Sequence, residues 1–310
     1  MVRHLLKDGE EGCFFRGNLH CHSNRSDGQI EPEAVIGAYR DAGYDFLCLS
    51  DHFEAEYGWQ ITDTRPMRDE NFTTILGAEL SSAPWEEREA YWVTAAGLPL
   101  DFEAPPADDH AGAIRRAAER GAFVIMLHPG LNNLPLAAAD GLPALDAVHA
   151  VEIYNHNLAV AAHPDGANGA YMLDGLLEKG LRLLVNAGDD AHFGHPSDRF
   201  GGWVEVYSDR LDPDALLASL KAGRYYSTQG PELRQLIVDE DRLRVETSEV
   251  YAISLTTSGD RWLSGSERHA EVGGPIKEAE FDLTPLRGSY CRICVIDEAG
   301  RRAWSNPIWP

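Results

Sequence analysis

Between residues 14 and 210 short apolar runs alternate with stretches whose apolar positions recur at helical spacing. The runs 14–19, 46–49, 73–77, 91–96, 123–127, 148–153, 181–185 and 203–207 are predicted strands. Helical patterns occupy 32–42, 110–120 and 169–179, each closed by a glycine (Gly43, Gly121, Gly180) that can take the left-handed conformation a helix end needs. A fourth opens on Asp212 and Pro213, an N-cap followed by a residue suited to the first helical position, and ends before Gly223. Strand–helix alternation of this length predicts a mainly parallel sheet covered by helices. After residue 231 the texture changes to short alternating runs, such as 236–238 and 251–255, between Gly, Ser and Asp turns. That pattern predicts a small antiparallel β domain over 231–310, following a larger unit over 1–230.

The polar residues sharpen the fold. His20 and His22 close the first strand, His52 the second, and Glu79 follows the third. His128 follows the run 123–127, and Asp190 and His192 follow the run ending in Ala187-Gly188. Five strands therefore deliver His, Asp or Glu at their C-terminal ends, which a barrel of parallel strands gathers on one face. This placement favours a TIM-like barrel over an open doubly wound sheet.

Composition changes the picture only in its charge. Hydrophobic residues make up 44% and charged residues 25% of the 310, as in an ordinary soluble protein, but the net charge is −23. Residues 1–230 carry most of it, with 36 acidic and 17 basic side chains. Such a field opposes binding along a nucleic-acid backbone and favours cations, so long nucleic acid is disfavoured as a partner. The five cysteines are irregularly spaced and do not form a disulfide framework. Cys291 and Cys294 read as buried strand residues, and Cys21 as packing behind its histidine neighbours, since alternate residues of an extended chain face opposite sides. The first residues lack the apolar stretch of a signal peptide and no run approaches a membrane span, so a cytoplasmic protein without a membrane partner is expected.

The chemistry lies in short clusters. In LHCHSNRSDG (19–28), His20 and His22 face one side of an extended segment and can chelate one ion, with Asp27 offered nearby by the turn at Gly28. In LSDH (49–52), Asp51 stands beside His52 and could orient an imidazole. In GAE (77–79), a carboxylate after a buried strand demands a cation or partner. HPG (128–130) and AGDDAH (187–192) complete the set.

With GAE and HPG taken together as one, these four motifs in this order resemble the polymerase and histidinol phosphatase (PHP) metal-dependent phosphoesterases, of the stand-alone bacterial type, over residues 14–230. The tail, GRRAWSNPIW (300–309), is more loosely similar to stand-alone members, some of which resemble carbaryl-type ester hydrolases. The resemblance implies a distorted (β/α)7 barrel holding two or three divalent ions. His20, His22, Glu79 and Asp190 would hold the first, with Glu79 bridging to a second that also takes His128. Asp27, His52 and His192 would hold the third. Mixed nitrogen and oxygen donors suit Zn, Mn or Fe. One position departs from the pattern. Trinuclear members supply a further His from the strand after the bridging glutamate, where this chain has Trp92. His156, Glu86 and Glu87 are candidates to complete that ion's shell.

The expected chemistry is hydrolysis of a small phosphorylated substrate by a metal-bound hydroxide available at neutral pH. Arg25 and Arg199 are candidates to bind the substrate anion, and His195 to protonate a leaving group. Carboxylic or carbamate ester hydrolysis at the same ions is the alternative, and a non-catalytic, metal-stabilised regulatory module a third reading from another class.

Overall fold

The computed structural model describes residues 2–7, 11–83, 90–106, 109–131, 133–258, 267–269 and 275–310. In chain order the described elements are β1 (Arg3–His4), β2 (Cys13–Asn18), α1 (Pro32–Asp41), β3 (Phe46–Leu49), β4 (Thr73–Ser81), β5 (Trp92–Ala96) and α2 (His110–Glu119). There follow β6 (Phe123–Met126), β7 (Ala150–Asn155), α3 (Ala170–Glu178), β8 (Leu184–Gly188), β9 (Trp203–Ser208), α4 (Pro213–Lys221) and β10 (Tyr225–Thr228). The remainder is all strand apart from single turns: β11 (Leu233–Asp239), β12 (Arg242–Val250), β13 (Ala252–Thr257), β14 (Glu267–His269), β15 (Ile276–Asp282), β16 (Cys291–Ile296) and β17 (Arg302–Ser305).

The helices form where periodicity and caps agree. Asp212 accepts from the N–H groups of Asp214 and Ala215, and Pro213 opens α4, which buries Ala215, Leu216 and Leu220. Asp109 caps α2 by accepting from Gly112, and α2 buries Ala113, Ile114 and Ala117. In α1 the buried positions are Pro32, Val35, Ile36 and Tyr39, one stripe facing the sheet. None of the described helices is long and apolar enough to cross a membrane.

One sheet runs in the order β14-β13-β16-β17-β10-β9-β2-β3-β4-β5-β6-β7-β8, and a second in the order β1-β11-β12-β15. The parallel pairs are β2/β3, β3/β4, β6/β7 and β7/β8. The expectation of a mainly parallel sheet needs correcting at two places. β5 runs antiparallel to both β4 and β6, because only residues 82–91 separate it from β4. That is too short for the crossover of a dozen or more residues that returns a strand parallel to its predecessor. β9 is antiparallel to β2 and to β10.

The hydrogen-bonded order has two ends and four α-helices stand among the described residues, so the architecture is a mixed α/β one built on a large sheet. The sheet nevertheless curls. Phe123 of β6 meets Tyr225 of β10 with ring centres 6.2 Å apart, although five strands lie between them in the order. Ser227 Oγ on β10 donates to the Val185 carbonyl of β8, and the Val185 N–H donates to Asn306 Oδ1. Side-chain bonds thus tie β8, at one end of the order, to β10 and to the segment after β17.

One apolar cluster lies between β4–β8 and the helices α2 and α3 (Val93, Val124, Ile114, Leu173). Another draws Leu19, Phe46, Ile75, Phe123, Val204 and Tyr225 together from both halves of the sheet order. A third fills the space between the second sheet and β13, β16 and β17 (Leu236, Val245, Phe281, Ile293).

Candidate metal centre

The C-terminal ends of β2, β3, β4, β6 and β8 meet at one end of the sheet. Beyond β2 and β8 the backbones zip together: the Asp190 N–H donates to the His20 carbonyl, and the His22 N–H to the Ala191 carbonyl, both at 2.8 Å. Two motifs about 170 residues apart in the chain are thereby brought side by side. Cys21, between the two histidines, points the other way. It is buried, its Sγ lies 3.6 Å from the Cys48 carbonyl, and burial pushes its thiol well up. The packing role read from alternation fits this geometry. His52 forms a bridge with Glu79, whose own N–H donates to the Asp51 carbonyl. Glu79 lies within β4, which extends four residues beyond the expected end at residue 77.

The donor atoms then converge. His20 Nε2 is 3.1 Å from Glu79 Oε2 and 3.1 Å from Asp190 Oδ1; His22 Nε2 is 3.2 Å from each. The other Glu79 oxygen faces His128 Nε2 at 3.7 Å. Beside this group, Asp27 Oδ2 lies 3.1 Å from His192 Nε2 and 3.6 Å from His52 Nε2. The His22 ring stacks between His192 and His52, with centres 4.4 and 4.8 Å away. Among the described residues three combinations have spacings suited to an ion: His22, Asp27, His52 and His192; His20, His22 and Glu79; and His20, His128 and Asp190. The inner group is sealed, with His20 and Glu79 side chains at 0% and 2% exposure, whereas Asp27 at 41% opens the outer group to solvent.

Tautomers show that something positive belongs between these atoms. His20 Nδ1 faces Glu152 Oε1 at 2.9 Å, so it carries the proton and Nε2 presents a lone pair to two carboxylate oxygens. His192 Nδ1 faces the Asp190 carbonyl at 2.8 Å, so its Nε2 likewise turns a lone pair on Asp27. Acceptors facing acceptors at such distances need a proton or a metal ion between them. His22 Nε2 and His52 Nδ1 are buried without a hydrogen-bond partner. Donors bound about 2 Å from a common centre in a tetrahedron stand roughly 3.3 Å apart, close to the spacing of the inner group. The donor set therefore fits a divalent cation.

Charge follows the same lines. Burial opposes protonation of His20 and His22, yet the carboxylates of Asp190 and Glu152 hold His20 well above its ordinary value. Asp190 and Glu79 raise His22 to about 10. Burial would raise Glu79, Asp190 and Asp27, but the surrounding imidazoles hold all three below the usual carboxylate range. Filling the site with protons alone would place imidazolium cations on stacked rings. Divalent ions neutralise the same carboxylates with fewer centres.

Backbone strain collects at this end. His128 has φ +24° and Asp190 φ +56°, conformations that non-glycine residues rarely adopt. Gly28 is required by close approach: a Cβ there would lie 2.7 Å from the His22 carbonyl group, closing the turn that returns Asp27 to the histidines.

Other sequence candidates stand apart from the cluster. Asp51 does not reach an imidazole; its carboxylate accepts from Ser23, Ser26 and Thr62 and so fixes the 23–28 turn. Arg25 is exposed and 3.5 Å from Glu31. Arg199 bonds to Asp198 and to the His195 carbonyl, and its guanidinium lies over Phe193. His195 Nδ1 accepts from Ser197 N. His156 bonds to the Tyr154 hydroxyl and belongs to none of the three combinations. Glu86 and Glu87 lie outside the described residues. Trp92 sits beside the cluster because β5 is reversed, and its ring is 6.0 Å from that of His128.

Sequence reasoning missed the supporting carboxylates and amides. Glu152 touches His20 and the His128 N–H. Asn155 donates to Glu152 and to Asp190. Asp189 is fully buried and accepts from Tyr39, Asn18 and the N–H groups of Phe200, Gly201 and Gly202. Glu152 was detectable as the one charge in the apolar run 150–155, where a carboxylate must have partners.

No family model and no curated protein matches the chain. Among solved structures, its fold is similar to that of a two-domain protein containing a predicted PHP-like metal-dependent phosphoesterase from Bacteroides vulgatus. The TM-score is 0.53 at 15% identity, covering 92% of this chain and 91% of that one. The likeness of fold extends over nearly the whole of both chains, and the matched protein has a PHP-like part as one of its two domains. A proposed metal-dependent phosphoesterase from Bifidobacterium adolescentis (TM-score 0.42, 14% identity, 58% of this chain and 89% of that one) is more distant. So is an amidohydrolase from Chromobacterium violaceum with bound sulfate and no metal (TM-score 0.43, 14% identity, 67% and 96%). Neither adds to the fold argument.

Proposed function

We propose that this chain is a metal-dependent hydrolase of phosphoesters of a small substrate, with residues 1–230 as its catalytic unit and 231–310 as a β domain beside it. The observation that carries the reading is the inner donor group, in which two imidazole nitrogens and two carboxylate oxygens face one another at 3.1–3.2 Å inside a sealed site. His20, His22, Glu79 and Asp190 would hold one divalent ion, with Glu79 turning its second oxygen toward His128. Asp27, His52 and His192 would hold another in the solvent-facing group. Zn, Mn or Fe suits this mixture of nitrogen and oxygen donors. Ions held there would lower the pKa of a bound water toward neutrality and would offset negative charge on phosphoryl oxygens.

The chain's own residues do the rest. The acidic field admits cations and excludes long polyanions, so a small substrate whose charge is met by the ions fits best. The exposed Asp27 side marks where substrate enters. Anion binding by Arg25 or Arg199 would require exchanging the Glu31 or Asp198 carboxylate for that of the substrate, and proton donation by His195 would require movement of its loop.

The test is metal analysis of protein expressed with Mn or Zn, followed by a panel of phosphomonoesters, phosphodiesters and aryl carboxylic esters. At least one bound ion per chain and phosphate release are expected. Ester cleavage without any phosphoesterase activity would move the assignment to carboxylic esters, and absence of bound metal would reject the hydrolase reading.

A further inference from the structure

We infer that Glu152 is the positioning residue that aims the donor atoms of His20, His128 and Asp190, an inference that rests on the metal-centre reading above. Glu152 stands on β7, between β6, which leads to His128, and β8, which leads to Asp190, and is fully buried. A lone carboxylate there would be costly, and both of its oxygens are engaged. Oε1 accepts from His20 Nδ1 at 2.9 Å. Oε2 accepts from the His128 backbone N–H at 2.9 Å and from Asn155 Nδ2 at 3.0 Å. The same Asn155 nitrogen donates to Asp190 Oδ2 at 3.1 Å. Asn155 Oδ1 in turn accepts from Leu158 N, which fixes which end of the amide faces Glu152.

One carboxylate therefore reaches all three members of the His20, His128 and Asp190 combination. Its effect differs for each. On His20 it holds the proton at Nδ1, which leaves Nε2 as a lone pair in a fixed ring orientation. On His128 it bonds the N–H of a residue strained at φ +24° and holds the backbone there. Through Asn155 it occupies Asp190 Oδ2, leaving Oδ1 to face His20 and His22. The packing leaves no room for error: a Cβ on Gly188 would lie 2.8 Å from Glu152 Oε1 and 3.0 Å from His20 Cβ. Only glycine on β8 allows the carboxylate and the imidazole to meet.

The decisive variant is Glu152→Gln, which keeps shape and burial but replaces one acceptor oxygen with a donor NH2. Either His20 Nδ1 or the His128 N–H must then face that NH2. If His20 does, its proton shifts to Nε2, the atom meant for the ion. Mn or Zn affinity, measured by competition with a chelator, is expected to fall about 10–100-fold. The melting temperature of the metal-free protein should change little by comparison. In the 15N spectrum of the Zn-loaded protein, wild-type His20 should carry its proton on Nδ1, and E152Q should weaken or lose that signature. Unchanged affinity would overturn the proposal, as would lost phosphoesterase activity at unchanged metal affinity, since Glu152 would then act on substrate. Should E152Q fail to fold, Asn155→Ala decides: weaker ion binding by a folded variant supports the relay, and wild-type affinity refutes it. A wild-type protein that binds neither Mn nor Zn would instead remove the metal-centre reading itself, an outcome separable from all of these.

Discussion

His128 has Glu79 on one side at 3.7 Å and the Trp92 ring on the other at 6.0 Å. An indole offers no lone pair to a metal, so the ion shared by Glu79 and His128 would draw few donors from this part of the chain. Trp92 occupies that place through its own strand, since the reversal of β5 puts its first residue at the site end of the sheet. Trp92→His would supply an imidazole from the same Cα. We expect this variant, loaded with Mn or Zn and freed of excess by gel filtration, to carry about one further equivalent of metal per chain by elemental analysis. Equal stoichiometry in the two proteins would show that Trp92 is not what limits ion binding.

At the scale of elements, the ladder between β6 and β7 depends on a histidine in its neutral form. His149, just ahead of β7, accepts from the Val124 N–H through Nδ1 at 3.1 Å and donates its own N–H to the Val124 carbonyl. Burial, then the nearby Lys221 charge, lowers its pKa below the ordinary value of about 6.5. Protonation therefore favours the unfolded chain. The contribution is complete above about pH 6.5 and is lost as pH falls through the lowered folded value. Metal-free wild type should lose more of its urea midpoint between pH 7 and pH 5 than His149→Gln does; parallel pH profiles would refute the assignment. Elements such as these were legible in the sequence because their signals are local. Asp212-Pro213 and the run 46–49 marked their helix and strand to within a residue. The direction of β5 was not, because an apolar run reads the same in a parallel or an antiparallel neighbour. Only the shortness of the 82–91 connection carried that information. The candidate ligands were legible because polar residues end apolar strands. Their aiming was not, because Glu152 and Asn155 act through contacts between strands that sequence spacing does not report. Asp51 shows the converse, a residue next to a candidate ligand whose side chain turns to a serine and threonine turn instead.

Across the whole molecule, the C-terminal strands are tied to the helical layer by one buried ion pair. Arg292 on β16 forks onto Asp174 of α3, with Nε 2.8 Å from Oδ1 and Nη2 2.7 Å from Oδ2, and the Tyr290 hydroxyl donates to the same carboxylate at 3.2 Å. The arginine side chain is 6% exposed and the aspartate 25%, so the cost of losing a partner falls mainly on Arg292. Asp174→Ala would leave that guanidinium buried without its acceptor, which should destabilise the fold by about 3 kcal/mol. Replacing both residues, in Asp174→Ala with Arg292→Met, removes the stranded charge while keeping much of its volume. The double variant should therefore recover most of the loss. Urea unfolding of wild type, the single variants and the double variant measures this directly. If Asp174→Ala alone costs less than about 0.5 kcal/mol, the pair behaves as a solvated surface contact. The two parts of the chain would then be held by their apolar contacts, with Tyr290 and Trp304 packed into the same cluster as α3.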